Sequence, residues 1–575
     1  MRDYVDYPEL GAIRNVFMKP VRRFLAGGMF CLMWAPFAHA ATQPNILLLV
    51  AEDLSPRIAS FGDALADTPN IDDLAAAGTR FTSVFTTAGV CAPSRAALIT
   101  GLHQISFGGQ HMRTSTGPLG EYFAQPDPQL RAFPEILRAN GYFTFTDNKL
   151  DYQFSGVRAG SGPFSIWDRQ GADDFAWRER APGQPFFGLI NFMETHESGI
   201  MRANGEPHSA THKATQQWRR AGNLVSARQT SPADVTLPPY YPDLPSVRSD
   251  MARHYDNIRM MDTRVGRIIE ALRTQGLSNN TIVIWTTDHG DGLPRAKREL
   301  YDSGLHVPLI LYVPPALQKL VGSGLSPLPA QDDRLVSFVD LAPTILKLAN
   351  IPAPEYLHGQ SIFSSERGYI FASRDRIDEV KDRQRAIRSN HFKYIRSWHP
   401  EVPGGHALAY RDNLDMVRAW RTAYQSGNLN AHQRRWFEPV GTEQLYDIVT
   451  DPHELTNLAT SPEHQNILRT LSAELDAFLQ KVGDTSEQAE QTMRDNLLVD
   501  GAVPTTPAPV LQLKGDLITM HSANGASIGY RYRGESHWHL YHQPVQAPDQ
   551  NEPAIEAKAV RYGWRESQIT SLRLR

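Results

Sequence analysis

The sequence predicts an α/β layered fold, and three observations indicate it. Residues 45–50 form an apolar run without a polar face, which is typical of a strand in the middle of a parallel sheet. Similar apolar runs alternate along the chain with segments of helical periodicity. Charged residues follow directly after several of these runs, where strands of such sheets present their ligand sites. We therefore predict a large sheet flanked by helices, with a functional site at one edge.

The other elements are predicted in chain order from the same patterns. Pro69–Gly78 is expected to be a helix closed by glycine, Phe81–Thr86 a strand, and Ala92–Thr100 a short helix ending before Gly101. Three more apolar strands and one long helix that ends at glycine follow: Phe186–Phe192, Thr281–Thr287, Val307–Val313 and Met251–Gly276.

Residues 1–40 are predicted to be an upstream extension and a secretory signal peptide. Lys19, Arg22 and Arg23 precede the short apolar stretch Phe24–Phe37, and small residues suited to cleavage lie before Ala41. Met18 opens the basic segment and is the expected start of translation. We expect a protein exported to the periplasm or secreted, without a membrane span in its mature form, while an uncleaved anchor stays an open alternative.

Cleavage at this position removes Cys31 and leaves Cys91 as the one cysteine of residues 41–575. A single thiol cannot form an intramolecular disulfide, so the stability of an exported protein must come from a large core. The formal charge of the full chain is −4, and no basic cluster predicts nucleic-acid binding.

Residues directly after the predicted strands are candidates for the site. Cys91 begins a predicted helix, whose first turn favours an anion. Acidic and imidazole groups from distant strand ends are expected to converge there: Glu52, Asp53, Asp288, His289, Glu194, His196 and Glu197. Each pair alone is also compatible with solvated or helix-capping carboxylates.

With these residues, the chain resembles the formylglycine-dependent sulfatases of the alkaline-phosphatase-like superfamily over roughly residues 44–479. The centre of the resemblance is Cys91-Ala92-Pro93-Ser94-Arg95, followed by Ala96 to Gly101. Supporting motifs occur in the order typical of the family: Pro69 to Ala75, Thr287-Asp288-His289-Gly290, Leu445-Tyr446-Asp447, Asp451 to Glu454, and Asn457-Leu458-Ala459. The resemblance implies a mixed, mostly parallel sheet and a smaller α+β C-terminal subdomain.

The resemblance also implies the chemistry at residue 91. A maturation enzyme would oxidise Cys91 to the aldehyde 3-oxoalanine (formylglycine), whose hydrate is the nucleophile toward sulfate esters. Ca²⁺ is the expected metal, with Mg²⁺ or Mn²⁺ possible, and its implied ligands are Glu52, Asp53, Asp288 and His289. Glu52 replaces the common Asp and His289 replaces a frequent Asn, so the ligand set departs from the family at two positions.

Four further catalytic positions follow from the resemblance. Lys149 and Lys297 match the two lysines that contact sulfate, His196 matches the proton donor to the leaving oxygen, and Arg95 lies one helical turn after Cys91. Asp151 stands where many members have His, and an Asp there suits a cation or a sugar hydroxyl.

The substrate is expected to be a sulfated glycan, recognised by mixed charged residues around the core motifs. The candidates are His103, His111, Arg113, Asp151, His306, Arg374, Arg376 and Asp378. A solvated loop held by internal ion pairs is the open alternative for this rim.

The domain boundaries are predicted from composition and from the extent of the resemblance. Residues 41–366 form the catalytic domain, 367–484 the α+β subdomain, 485–509 a linker, and 510–575 a small β-sandwich. Four strands are expected in the last part, at Val510–Ile518, Ser527–Arg533, His537–His542 and Ile555–Arg561.

Two other functions remain open at this point. A phosphonate or phosphate ester hydrolase of the same superfamily would use the same metal and aldehyde. A non-catalytic glycan-binding protein would keep Cys91 as a thiol, although buried charges without a catalytic use are costly.

Overall fold

A mixed seven-stranded sheet carries the candidate site residues. The computed structural model describes residues 43–201, 229–322, 328–547 and 554–573, together with Lys213 and Gln217. The predicted leader, residues 1–40, lies outside the described residues. The sheet has the order β3-β4-β1-β5-β6-β2-β7, and β6 alone among its strands runs antiparallel to its neighbours. Its strands are β1 (Asn45–Ala51), β2 (Thr79–Phe85), β3 (Phe143–Thr146), β4 (Phe186–Phe192), β5 (Thr281–Thr287), β6 (His306–Tyr312) and β7 (Gln331–Ser337).

Strand β1 lies in the centre of this sheet and is buried on both faces, as its sequence predicts. Ile46, Leu48 and Val50 pack into one hydrophobic core, while Leu47 and Leu49 pack into a second core on the opposite face. This alternation follows from the two-residue period of a strand. The packing of β1 into two cores on opposite faces therefore confirms the prediction of a large sheet covered by helices on both sides.

Ten α-helices are described, and several differ from their predicted bounds. The long helix begins six residues earlier than expected, at Pro245, because proline is well suited to the first turn, where its missing N–H has no partner to lose. The helices are α1 (Pro69–Ala77), α2 (Cys91–Thr100), α3 (Phe133–Ala139), α4 (Pro245–Thr274), α5 (Asp302–Leu305), α6 (Leu341–Leu348), α7 (Asp415–Gln425), α8 (Ala431–Arg434), α9 (Gln465–Val482) and α10 (Glu490–Leu497). None of those in the described ranges combines the length and the apolar character that crossing a bilayer requires.

A second, antiparallel sheet follows the large one. Its order is β11-β10-β9-β8, with β8 (Ile370–Arg374), β9 (Gln384–Arg388), β10 (Phe392–Ser397) and β11 (Glu443–Asp447). Helix α9 packs on it through Leu468, Leu471 and Leu475. This combination agrees with the α+β character expected of the region.

The C-terminal residues form two small antiparallel sheets that share one core. Seven strands are described where four were predicted: β12 (Val510–Lys514), β13 (Leu517–His521), β14 (Ser527–Tyr532), β15 (His539–Leu540), β16 (Val545–Gln546), β17 (Ala554–Val560) and β18 (Thr570–Arg573). The single strand predicted at Val510–Ile518 was wrong. Lys514 pairs with Leu517 across a two-residue turn, and Gly515 there adopts φ 63°, which a glycine reaches without steric cost.

Candidate active site

The carboxyl ends of β1 and β5 place four of the predicted metal ligands side by side. Ala51 and Thr287 are partners in the parallel register, so Glu52 and Asp53 leave the sheet beside Asp288 and His289. The Asp53 N–H donates to Asp288 Oδ1 at 3.0 Å, and His289 Nε2 lies 3.1 Å from Asp53 Oδ1. All four residues are fully buried.

Cys91 is the first residue of α2 and lies against this cluster. Its Sγ is 3.3 Å from His289 Nε2 and 3.8 Å from Asp53 Oδ1. Ser94, in the same turn, donates from Oγ to the Asp288 carbonyl at 2.5 Å, which fixes the start of the helix against β5. The pentapeptide thus joins residue 91 rigidly to the sheet edge.

Arg95 connects the ends of three neighbouring strands. Its guanidinium binds Asp288 Oδ2 at 3.0 Å and Glu52 Oε1 at 3.2 Å, and it also donates to Asn191 at the end of β4. Because the side chain is buried and bound to two carboxylates, its guanidinium orients those groups. Asn191 is a site residue that was not predicted from the sequence.

Two lysines bind different carboxylates of the cluster. Lys149 Nζ lies 3.1 Å from Glu52 Oε1 and 3.7 Å from Asp151. Lys297 Nζ lies 2.7 Å from Asp53 Oδ2 and 2.9 Å from Glu197 Oε1. The two predicted sulfate-contacting lysines are therefore both present at the cluster.

Glu197 and Arg298 form a buried ion pair next to Lys297. Arg298 makes a bidentate pair with the Glu197 carboxylate at 2.7 and 2.9 Å, and the Glu197 N–H donates to Asp53 Oδ2 at 2.7 Å. Glu197 follows a strand end in the sequence but was not among the predicted catalytic or metal-binding residues, and neither was Arg298. The sequence offered one signal for these two residues, because Glu197 directly follows His196 and Arg298 directly follows Lys297.

Asp151 forms an ion pair with Arg113 at the site, so its carboxylate is not free. Arg113 donates from Nε and Nη2 to the Asp151 carboxylate, at 3.0 and 2.9 Å. The Arg113 side chain remains about one third exposed, whereas that of Asp151 is buried. Arg113 therefore presents positive charge at the mouth of the site.

His196 lies at the outer side of the cluster. Its Nδ1 is 2.8 Å from Ser198 Oγ, and its Nε2 is 3.9 Å from Glu52 Oε2. The Ser198 contact fixes the ring orientation and leaves Nε2 directed toward the acidic groups.

Positive charges keep the buried carboxylates ionised. Burial opposes the charge of Glu52, but Lys149, Arg95 and His196 outweigh it and lower its pKa to about 2. Burial likewise opposes the charge of Asp53, whose pKa Lys297, His196 and His289 nevertheless hold well below its usual range. The same lysines lower the pKa of the Cys91 thiol to about 6 against the effect of burial.

The donor set fits a hard divalent cation. Atoms of Asp53, Cys91, Asp288 and His289 lie within 4.8 Å of one another, as do atoms of Glu52, Asp53, Cys91 and His196. Burial disfavours a charged His289, yet Asp288, Cys91 and Asp53 raise its pKa well above its usual range. A cation at this position would neutralise the same carboxylates, and carboxylate oxygens are the ligands that Ca²⁺ prefers.

Three core residues adopt left-handed backbone conformations. Asp53 and Asp151 have φ 54° and Arg298 has φ 78°. Such conformations cost roughly 1–3 kcal/mol each for residues with a Cβ, and they persist only where surrounding contacts compensate. The ion pairs of these three side chains provide that compensation.

The predicted rim residues divide into two groups. Arg113 and Asp151 reach the cluster. Asp378 lies near Arg298: burial lowers the pKa of Arg298, but Glu197 and, more weakly, Asp378 raise it. The others bind internal partners. His103 stacks near His358 and Phe478, His111 lies 3.8 Å from Glu490, His306 contacts the Thr82 carbonyl at 2.7 Å, Arg374 pairs with Glu299 and Asp382, and Arg376 pairs with Glu490.

Comparison with known proteins agrees with this architecture. Residues 44–351 match the family model described as Sulfatase. An ulvan-active sulfatase of Formosa agariphila is 36% identical over 563 residues, covering 92% of this chain and 91% of the relative. The N-sulphoglucosamine sulphohydrolase of Homo sapiens is 26% identical over 484 residues, covering 76% and 89%.

A solved structure shows the same fold. A putative sulfatase from Bacteroides thetaiotaomicron superposes with a TM-score of 0.54 at 20% identity, covering 77% of this chain and 94% of that one. The family match spans more than half of the chain, and the ulvan-active relative aligns along nearly all of it. This chain therefore belongs to the sulfatase family and is a sulfuric ester hydrolase.

Proposed function

We propose that this sulfatase removes sulfate from a sulfated glycan or oligosaccharide by means of a formylglycine produced from Cys91. The observation that carries the proposal is the position of Cys91, buried at the start of α2 beside the carboxylates of Glu52, Asp53 and Asp288 and under the influence of two lysines. A packing thiol would need no such charges, and buried charges are costly unless they are used or paired.

A modified residue 91 supplies a nucleophile that a thiol cannot replace. As a formylglycine hydrate it would carry two hydroxyls on one carbon, one to attack sulfur and displace the alcohol, the other to release sulfate by collapse to the aldehyde. Ca²⁺, held by Glu52, Asp53, Asp288 and His289, would add positive charge beside the sulfate oxygens.

The chain's own side chains position the sulfate. Lys149 pairs with Glu52 and Lys297 with Asp53, and both lysines act on the charge of residue 91, which supports a role for their ammonium groups in binding the non-bridging oxygens. Charge that develops on these oxygens in the transition state is then stabilised by preorganised donors. Arg95 fixes Glu52 and Asp288 rather than contacting sulfate.

His196 is placed to protonate the leaving oxygen. The Ser198 contact at Nδ1 leaves Nε2 on the side of the acidic cluster, where the alcohol departs. An imidazole is suited to give and regain a proton near neutral pH.

A glycan is the substrate class that the rim and the relatives support. Arg113 and Asp378 bring charges of both signs to the mouth, which suits hydroxyl and acidic groups of a sugar. One relative is named for activity on ulvan and another for N-sulphoglucosamine.

The decisive experiment combines mass and activity. Intact mass of the peptide containing residue 91, from protein made in its native host, is expected to be lower by about 18 Da than the thiol form. Sulfate release from ulvan oligosaccharides is expected from this protein and not from Cys91→Ala. An unmodified thiol in active protein contradicts the mechanism, and faster hydrolysis of a matched phosphonate ester favours the phosphonate hydrolase. Retention of glycan without sulfate release by modified protein favours a binding protein.

A further inference from the structure

A segment far along the chain supports the loop that carries Arg113. We call residues 105–125 the rim loop and residues 485–497, which include α10, the supporting segment. At the start of this segment Thr485 donates from Oγ1 to the Ile105 carbonyl at 2.8 Å, and its last residue accepts at its carbonyl from Gln125 at 2.8 Å. The supporting segment therefore contacts both ends of the rim loop, although it lies outside the residues that match the family model.

Glu490, at the start of α10, makes the central contact between the two. Its carboxylate accepts from Arg376 Nε at 2.6 Å and Nη2 at 2.8 Å, and from the Tyr122 hydroxyl at 2.7 Å. Arg376 and Tyr122 are buried. A bidentate pair of this kind fixes the orientation of the guanidinium as well as its position.

Arg376 uses its remaining nitrogen to join two backbone segments. Its Nη1 donates to the Met112 carbonyl and, at 2.8 Å, to the Asp378 carbonyl. The same segments pair through their backbones, because the Met112 N–H donates to the Arg376 carbonyl at 2.9 Å and the Asp378 N–H to the Met112 carbonyl at 3.2 Å. A Cβ at Gly117 would lie 2.9 Å from Arg376 Nη2, so a glycine there lets the rim loop close around the guanidinium.

The first of these segments places Arg113 at the mouth of the active site. Arg113 directly follows Met112, and its side chain is about one third exposed while two of its nitrogens bind Asp151. Its Nη1 has no hydrogen-bond partner in the part of the chain that the structure describes. Arg113 is thus held at its backbone by Arg376 and at its head by Asp151, with one nitrogen left for a ligand.

The second segment places Asp378 at the same mouth in a strained conformation. Asp378 has φ 49°, and a left-handed backbone costs roughly 1–3 kcal/mol in a residue with a Cβ. Such a conformation persists only where surrounding contacts compensate for it, and here the compensating contacts are those with Arg376 and Met112. The position of Asp378 therefore depends on the pair between Arg376 and Glu490.

Attachment of the supporting segment alone would not require a buried ion pair. Met493 of the same helix is 4% exposed and packs against Gln110, whose Nε2 lies 3.9 Å from its sulfur. A buried ion pair often adds no more stability than apolar side chains of similar volume. What the pair adds is direction, because the donors of a planar guanidinium lie in a fixed fork that sets the spacing of the two backbone segments.

We propose that Glu490 is a positioning residue for substrate recognition, which acts through Arg376 to hold Arg113 and Asp378 where they bind the sugar that carries the sulfate. This inference rests on the proposed function, because it takes a sulfated glycan as the substrate. Within the described ranges Glu490 contacts neither Cys91 nor the two lysines of the site. It therefore governs the affinity for the sugar and leaves the chemistry at sulfur unchanged.

The test compares Glu490→Ala with a matched change in the same segment of the full-length matured enzyme. Glu487→Ala is the control, because Glu487 is exposed and has no ion pair within the described ranges. With sulfated oligosaccharides from ulvan, Glu490→Ala is expected to raise KM about tenfold and to change kcat by less than about twofold. Glu487→Ala is expected to behave like the wild-type enzyme.

A small substrate separates positioning of the rim from a general structural role. The compound para-nitrophenyl sulfate occupies the sulfate pocket without a sugar, so Glu490→Ala is expected to keep kcat/KM on it within about twofold of wild type. Glu490→Gln keeps the shape of the side chain without its charge and should raise KM for the oligosaccharide by an intermediate amount. Thermal unfolding of both variants shows whether they are folded, and the Gln variant carries the test if the Ala variant is not.

A double-mutant cycle tests whether Glu490 acts through Arg113. Two residues that act independently would have additive effects on the free energy of substrate binding, whereas coupled residues would not. In an Arg113→Ala background, Glu490→Ala is therefore expected to raise KM by about threefold or less rather than tenfold.

Three results would overturn the inference. They are an unchanged KM for the oligosaccharide in both Glu490 variants, an equal loss on the oligosaccharide and on para-nitrophenyl sulfate, and fully additive effects of Glu490→Ala and Arg113→Ala. Failure of the proposed function is distinct, because it appears as absent sulfate release from the oligosaccharide by wild-type protein.

Discussion

Glu197 and Lys297 are joined by a buried ion pair of 2.9 Å, and the same carboxylate oxygen accepts from Arg298 at 2.7 Å. Burial disfavours a charged Lys297, but Asp53, Cys91 and Glu197 raise its pKa well above its usual range. Glu197 thus keeps a lysine charged and oriented beside residue 91.

Glu197→Gln is expected to lower kcat about 10- to 100-fold, because it removes the charge that orients Lys297 and leaves Arg298 without its partner. Glu197→Asp, which keeps the charge, should recover part of the loss. Steady-state kinetics on a sulfated oligosaccharide measures both variants. Equal activity of Gln and Asp variants would show that the charge has no positioning role.

Lys149→Ala is expected to lower kcat/KM about 10²- to 10³-fold, because one preorganised donor to the sulfate oxygens is lost. Lys149→Arg keeps the charge and is the matched control. A loss confined to KM in Lys149→Ala would contradict a role in the transition state.

Chelation of divalent cations is expected to destabilise the fold as well as to abolish activity. Ca²⁺ that binds only the folded state stabilises it by about 2.7 kcal/mol at roughly one hundred times its Kd. Thermal unfolding with EDTA and with added Ca²⁺ measures this shift. Asp288→Asn should reduce the shift because it removes an implied ligand, and an equal shift in this variant would exclude Asp288 from the metal site.

The ion pair between Asp484 and Arg385 of the second sheet is expected to be sensitive to acid. Burial opposes the charge of Asp484, but Arg385 and Ser486 lower its pKa to about 2, from 3.8 in the unfolded chain. The lowered pKa contributes about 2 kcal/mol of stability at pH 5, which is lost as the pH falls from about 4 toward 2. Urea unfolding of wild type and Asp484→Asn should differ at pH 5, differ less at pH 3 and converge only near pH 2 and below, whereas a constant difference would contradict the linkage.

Because Tyr562 binds Glu135 of the catalytic domain, we expect the C-terminal sheets to stabilise that domain against unfolding. The Tyr562 hydroxyl donates to buried Glu135 Oε2 at 2.5 Å, and the Ser527 hydroxyl donates to Oε1 of the same carboxylate. Tyr562→Phe is expected to lower the free energy of unfolding by about 1–2 kcal/mol, because a buried carboxylate loses a donor. Denaturant unfolding measures the change, with Tyr424→Phe as the surface control. A neutral effect would show that this contact is dispensable.

Much of the catalytic fold was predictable because its signals are local. A continuous apolar run specifies a strand buried on both faces, and charged residues after β1 and β5 meet because parallel strands end at one edge. The C-terminal region was less predictable, since its strands are short and the turn at Gly515 interrupts what looks like one strand.

By itself the sequence determined the sheet, the helix start at Cys91 and the neighbourhood of Glu52, Asp53, Asp288 and His289. Tertiary structure alone decided the pairing of side chains far apart in the chain. Arg95 joins three strand ends, Glu197 selects Lys297 and Arg298, and Trp398 meets Arg383. These contacts depend on backbone conformation and on which buried charges compensate one another, and neither is encoded in a local pattern of residues.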